Sequence, residues 1–239
     1  MKYIDRSKVA APANLQGQAA PTSEADIKEG IYGHANVKKA LTDLQKGICC
    51  YCESRYDVTG YGEVEHFRPK GGWQQDENDK EIHHPGYYWL AYSWENMMYA
   101  CKRCNVGYKQ NYFPLEDPSK RFNSRTLSIA QEKPLLINPY EEKNPENHLD
   151  FKGANILAKT AQGVASIRYY GLDRELLNED RRQVLNPINA LAETLEMFRG
   201  TDKEVDVENK LRKIVNETIK SGQYTLMIKC NFKDYIDKE

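Results

Sequence analysis

The chain has 239 residues, 34 Lys and Arg against 35 Asp and Glu, 40% apolar and 29% charged residues, and a mean hydropathy of -0.78. That length is enough for one or two self-sufficient globular domains, and the near-zero net charge excludes a polycation that coats nucleic acid nonspecifically. No apolar run approaches the roughly 20 residues of a membrane-spanning helix, and residues 1–16 hold no continuous apolar segment of the secretory kind, so the expected location is cytoplasmic.

Residues 5–30, rich in Ala, Pro, Gln and Gly, follow neither the helical nor the strand period and read as an extended or partly ordered arm. Val37, Ala40, Leu41 and Leu44 then take the spacing of an amphipathic helix that starts at Ala35 and stops at Gly47. Residues 48–70 read as short strands and turns broken at Gly60 and Gly62, and residues 71–86 as a polar, exposed loop. The aromatic cluster Tyr87, Tyr88, Trp89, Tyr92 and Trp94 lies so close before Asn96 that core packing explains it better than base stacking. Asn105 opens a short helix ending before Pro114, and a proline-rich linker runs on to Pro145. In the last third, Leu172, Leu176, Leu177 and Val184, then Ile188, Leu191 and Leu195, then Leu211, Ile214, Val215 and Ile219 repeat at helical spacing. Pro187 is expected to divide the first two of these helices, and Gly200 with Asp202 to end one and cap the next.

Four of the six cysteines form two pairs, Cys49-x-x-Cys52 and Cys101-x-x-Cys104. Two residues between cysteines let both thiolates of a tight turn face one ion, and two such turns complete the four-sulfur tetrahedron that zinc favours. One pair alone would equally suit a redox site; two pairs point to a structural zinc. Cys50 and Cys230 are left as ordinary thiols.

Between the pairs stands Glu65-His66. A carboxylate of this kind can hold a hard divalent cation while the neighbouring imidazole takes a proton from water near neutral pH. Asn96 shortly precedes the second cysteine pair and Asn105 follows it directly, giving the order CxxC, EH, N, CxxC-N. Lys102, Arg103, Lys109, Lys120, Arg121 and Arg125 outnumber Glu116 and Asp117 beside this constellation, and Arg68 and Lys70 follow His66, so a phosphate-facing surface is expected here. Asp76, Glu77, Asp79 and Glu81 mark a loop that should avoid a duplex.

With this order the sequence resembles the HNH endonucleases, whose ββα-metal fold often carries two flanking CxxC pairs. More closely, CCYCE, VEHFRPK, YYWLAYSWENMMYACKRCN, YKQNYFPL and LLINPYEEKNPENHLDF are similar to the PtuB-like HNH subunit of Septu anti-phage systems and to retron-associated HNH proteins, over about residues 45–185. The resemblance implies an α+β fold: an arm over 1–33, a zinc-stabilised HNH core over 34–130, and a linker with a mostly helical region over 131–239. It implies a DNA endonuclease with His66 as general base, Asn96 orienting it, Glu65 and Asn105 holding Mg²⁺ or Mn²⁺, and Cys49, Cys52, Cys101 and Cys104 holding zinc. Arg68, Lys70, Lys102, Arg103 and Lys109 would then contact nucleic acid. The implied partners are DNA and an ABC-type ATPase of the same system; the amphipathic pattern of the C-terminal helices makes them the expected docking region, with homo-oligomerisation open and no membrane. Two departures from the family pattern stand out: Glu65 where many members have Asp, and three residues rather than two between Asn105 and Lys109. The rival from another class is a zinc-stabilised nucleic-acid-binding or adaptor module without chemistry.

Replacing Cys49 or Cys101 by Ser is expected to strip zinc and unfold the core, because small zinc sites contribute folding free energy directly. Zinc content by elemental analysis together with thermal melting checks this.

Overall fold

The computed structural model describes residues 1–56, 62–122 and 129–237; Gly60 and Arg125, singled out above, lie outside the described residues. A four-residue helix, α1 (Glu29–Tyr32), ends the arm, and α2 (Ala35–Gln45) follows at the expected position. His34 caps α2 by accepting the Asn36 N–H at Nδ1, and Lys46 ends it in the left-handed conformation, followed by Gly47 at φ 71°. Val37 and Leu41 are fully buried on one face of the helix. Gln45, at its last turn, is buried too and acts as a surrogate strand: its amide donates to Tyr99 O at 2.6 Å and accepts from Tyr99 N at 2.8 Å.

Tyr99 belongs to β2 (Met97–Cys101), which pairs antiparallel with β1 (Gly62–His66) in the register Gly62↔Cys101 to His66↔Met97. Gly62 opens the strand rather than breaking it, because a Cβ there would lie 2.6 Å from the Tyr99 ring. A π-helical turn, Arg103–Lys109, follows β2 where a short helix was expected. Among the aromatic residues before β2, Tyr87, Tyr92 and Trp94 are buried.

The C-terminal part opens on a hairpin that the sequence reading missed, β3 (Leu149–Lys152) with β4 (Asn155–Ala158). Four helices follow: α3 (Ala161–Tyr170), α4 (Glu175–Met197), α5 (Glu204–Ser221) and α6 (Thr225–Asn231). Gly171 ends α3 at φ 60°, and a Cβ there would collide with the Tyr108 ring at 2.4 Å, so only glycine allows α3 to seat on the π-helical turn. The fold is α+β, with the two small sheets in separate places and helices over both. No helix among the described residues is long and apolar enough to cross a membrane.

Two expectations for this region are corrected. α4 runs unbroken through Pro187, although an internal proline costs a helix about 3 kcal/mol. The helix packs along α5, and the buried stripes of Leu185, Ile188 and Leu195 on one and Val207, Leu211 and Val215 on the other offset that cost. Asp202 does not cap α5, which begins after Lys203 without a side-chain cap. The apolar stripes of these helices are largely spent internally, leaving Leu176, Met197 and Val205 as the large exposed apolar side chains of α4 and α5. Tyr224, just before α6, reaches Ser54 beside Cys52, its hydroxyl 3.0 Å from Ser54 Oγ.

Leu211→Ala is expected to lower the free energy of unfolding by about 2–5 kcal/mol, whereas Val205→Ala, at a position 68% exposed, should change it by less than about 0.5 kcal/mol. Denaturant titration of the two variants separates these outcomes.

Candidate active site and metal centre

The turns that follow α2 and β2 bring the two cysteine pairs together. Sγ atoms of Cys49, Cys52, Cys101 and Cys104 all lie within 4.8 Å of one another, and all four side chains are buried. Zn–S bonds of about 2.3 Å in a tetrahedron place sulfurs about 3.8 Å apart, and Cys52 Sγ lies 3.8 Å from Cys101 Sγ. The cluster can therefore hold a metal such as zinc. The four thiols share hydrogen bonds, with Cys52 held below its ordinary pKa and burial and the neighbouring sulfurs pushing Cys49, Cys101 and Cys104 up, and the Arg174 guanidinium approaches Cys104 Sγ at 3.5 Å. Cys50 points into the core and Cys230 lies far along the chain in α6; neither joins the cluster.

His66 ends β1, only 3% exposed, at the floor of a cleft of about 540 Å³ that also takes in Glu65, Lys70, Asn105, Gln110 and Asn111. Its Nε2 is 2.9 Å from Ala91 O. A carbonyl only accepts, so Nε2 carries the proton and Nδ1 keeps a lone pair. Burial, with the nearby Lys70 charge adding to it, drives the His66 pKa down to about 3, so the ring is neutral at neutral pH. Asn96 closes the loop that carries Ala91: its Oδ1 accepts from Arg68 N at 2.8 Å and its Nδ2 donates to Arg68 O at 3.0 Å, while its own carbonyl accepts from Phe67 N. The residues on both sides of the loop base are thus locked next to His66.

Glu65 is 5% exposed and its Oε1 takes two internal partners, Lys109 Nζ at 2.6 Å and the Tyr51 hydroxyl at 3.1 Å. Tyr51 sits between Cys50 and Cys52 and stacks on Tyr170 of α3 at 3.8 Å, so the cysteine turn and α3 both bear on the carboxylate. Lys109, wholly buried, also donates to His66 O at 3.0 Å. Asn105 donates from Nδ2 to Glu63 Oε2 at 3.0 Å, and a smaller recess of about 340 Å³ continues the cleft past Lys70 and Asn105 to Glu63, Tyr32 and Lys38.

Of the basic residues expected to meet phosphate, Lys102 and Arg103 are exposed at the π-helical turn and Lys70 lines the cleft. Arg68 and Lys109 are turned inward instead, Arg68 Nε to Glu132 at 3.1 Å and Lys109 to Glu65. The physical reason is that a buried carboxylate without a partner costs several kcal/mol. Arg121 likewise stacks on Trp73 at 3.8 Å and donates to Phe113 O.

The arm contributes residues that sequence patterning did not flag. Tyr32 meets the His66 ring edge-on at 4.9 Å, and the Lys70 ammonium lies 4.6 Å over the Tyr32 ring. Arg6 donates to Trp94 O and Met97 O, fastening the arm to the start of β2. No period or motif marks these residues; the one available signal for Glu63 is its place two residues before Glu65, on the same strand face.

No protein-family model matches the chain. It is 36% identical over 208 residues to the Septu protein PtuB of Bacillus mycoides (strain KBAB4), covering 83% of this chain and 70% of that protein. It is 27% identical over 172 residues to the Septu protein PtuB of Bacillus thuringiensis, covering 69% of this chain and 53% of that one. A Septu protein PtuA of Bacillus mycoides (strain KBAB4) matches at 29% over 156 residues, 65% of this chain but 21% of the relative.

Lys109→Met, measured without added divalent ion, is expected to destabilise the protein by about 3–5 kcal/mol by stranding the Glu65 charge. Adding Glu65→Gln to that variant should restore part of the loss, which a double-mutant cycle in denaturant reads directly.

Proposed function

The chain belongs to the PtuB family of Septu anti-phage defence proteins, and from that premise we propose that it is a metal-dependent HNH endonuclease hydrolysing DNA phosphodiester bonds. The observation that carries the reading is His66: its Nε2 proton is committed to Ala91 O, and it lines one cleft together with Glu65 and Asn105. The order of β1, β2 and the π-helical turn supports reading residues 34–130 as an HNH unit of strand, strand and helix.

In this reading His66 Nδ1 removes a proton from water, whose oxygen attacks the phosphorus in line as the bond to the 3′-oxygen breaks, leaving 5′-phosphate and 3′-hydroxyl ends. Glu65 and the Asn105 amide oxygen would hold Mg²⁺ or Mn²⁺, a donor set suited to a hard cation that keeps several of its waters. The chemistry it would supply there is polarisation of the scissile phosphate and stabilisation of the departing oxygen. Asn96 holds the His66 loop in place, and Lys109 with Tyr51 fixes the Glu65 carboxylate. Lys70, Lys102 and Arg103 are the cations available to the DNA backbone. An ABC-type ATPase of the same system is the proposed partner.

Cleavage of plasmid DNA with Mg²⁺ or Mn²⁺ is expected to fall about 10²–10⁴-fold in His66→Ala at equal zinc content. A zinc-loaded wild type that cleaves neither alone nor with the ATPase would overturn the enzyme reading in favour of a nucleic-acid-binding or adaptor module.

A further inference from the structure

We propose that Glu63 is a positioning residue of this site, fixing the Asn105 side-chain amide so that its oxygen, and not its NH₂ group, is offered to the divalent ion. The inference rests on the endonuclease reading and adds to it a residue that no motif contains.

Glu63 and Glu65 are two apart on β1 and so share a face of the strand, but their surroundings differ. Glu65 is buried and its Oε1 is taken by Lys109 and Tyr51. Glu63 is half-buried at the rim, lining the smaller recess together with Asn105, Lys70 and Tyr32. Its Oε2 accepts from Asn105 Nδ2 at 3.0 Å. An ionised carboxylate has no hydrogen to give, so the group facing it must be the amide NH₂, and the chemistry of the pair fixes which end of Asn105 is which. The Asn105 oxygen is then the amide's remaining acceptor in the cleft that Asn105 lines.

The need for such a device follows from where Asn105 sits. It lies within the π-helical turn, directly after Cys104, and its backbone carbonyl accepts the Gln110 N–H at 2.8 Å. The backbone is therefore held from both sides, by the cysteine cluster and by the turn, while among the described residues the side-chain amide makes one hydrogen bond, to Glu63. Released from Glu63, the amide could turn its NH₂ toward the cation, where its partial positive charge opposes binding. Partners that orient a ligand in this way contribute about 10–100-fold in metal affinity.

The test is Mn²⁺ binding to the zinc-loaded full chain, followed by electron paramagnetic resonance and calorimetry, for wild type, Glu63→Ala and Glu63→Gln. Glu63→Ala is expected to bind Mn²⁺ about 10–100-fold more weakly, with zinc content and melting unchanged and cleavage recovering as Mn²⁺ is raised. Glu63→Gln, which keeps an acceptor oxygen for Asn105, is expected to retain most of the affinity. Wild-type affinity in Glu63→Ala would overturn the inference alone, and equal losses in both variants would overturn it by making Glu63 a charge or a ligand. A wild type that takes up no Mn²⁺ would overturn the endonuclease reading and this inference together.

Discussion

The meeting of four thiols is the constraint on which the remaining structure depends. Cys49 and Cys52 follow α2, Cys101 ends β2 and Cys104 lies within the π-helical turn, so one cluster fixes a helix, a strand and a turn relative to one another. Closing the long segment between the pairs carries an entropic cost that grows only slowly with its length. A metal-capable cluster meets that cost at its two ends, which leaves the intervening chain free to build the β1 strand and the His66 loop. The surrounding contacts agree with this placement: Cys101 N donates to Cys49 Sγ at 3.3 Å, and Cys50 N donates to Tyr99 O at 3.2 Å.

The cluster and the cleft are mechanically continuous. Tyr51 is flanked by Cys50 and Cys52 and bonds Glu65; Asn105 follows Cys104 and bonds Glu63. Each cysteine pair thus carries a neighbouring polar side chain to one of the two carboxylates of β1. α3 closes the arrangement from behind, with Tyr170 stacked on Tyr51 and Gly171 against Tyr108. The C-terminal helices therefore support the site through α3, Arg174 and Tyr224.

Two buried ion pairs flank His66. Glu65 with Lys109 and Glu132 with Arg68 lie on either side of His66 in the sequence of the fold, and the Tyr87 hydroxyl gives Glu132 a further bond at 2.7 Å. Such pairs contribute little net stability, since desolvation offsets their attraction, but losing one partner is expensive. Their effect is to hold the loop after β1 in one arrangement, so that the imidazole faces the cleft without rearrangement. The arm adds Tyr32 and Arg6 to the same end, although its composition gives no sign of order.

Features that depend on short-range spacing were legible before folding: the two cysteine pairs, the Glu65-His66 step, α2 from Ala35 to its stop, and the apolar stripes of α4 and α5. These were legible because metal turns and helical faces repeat over a few residues, so their partners are set by position along the chain. Where a local rule met a tertiary demand, as at Pro187, the packing of α4 on α5 prevailed. Folding alone brings Lys109 and Arg68 to carboxylates rather than to the surface, Tyr51 and Tyr32 to Glu65 and His66, and the Asn105 amide to Glu63. Each of those contacts joins residues remote in the chain or distinguishes between chemically equivalent neighbours. A charge in a sequence carries no record of its partner, and burial, which makes pairing obligatory, exists only once the chain is folded.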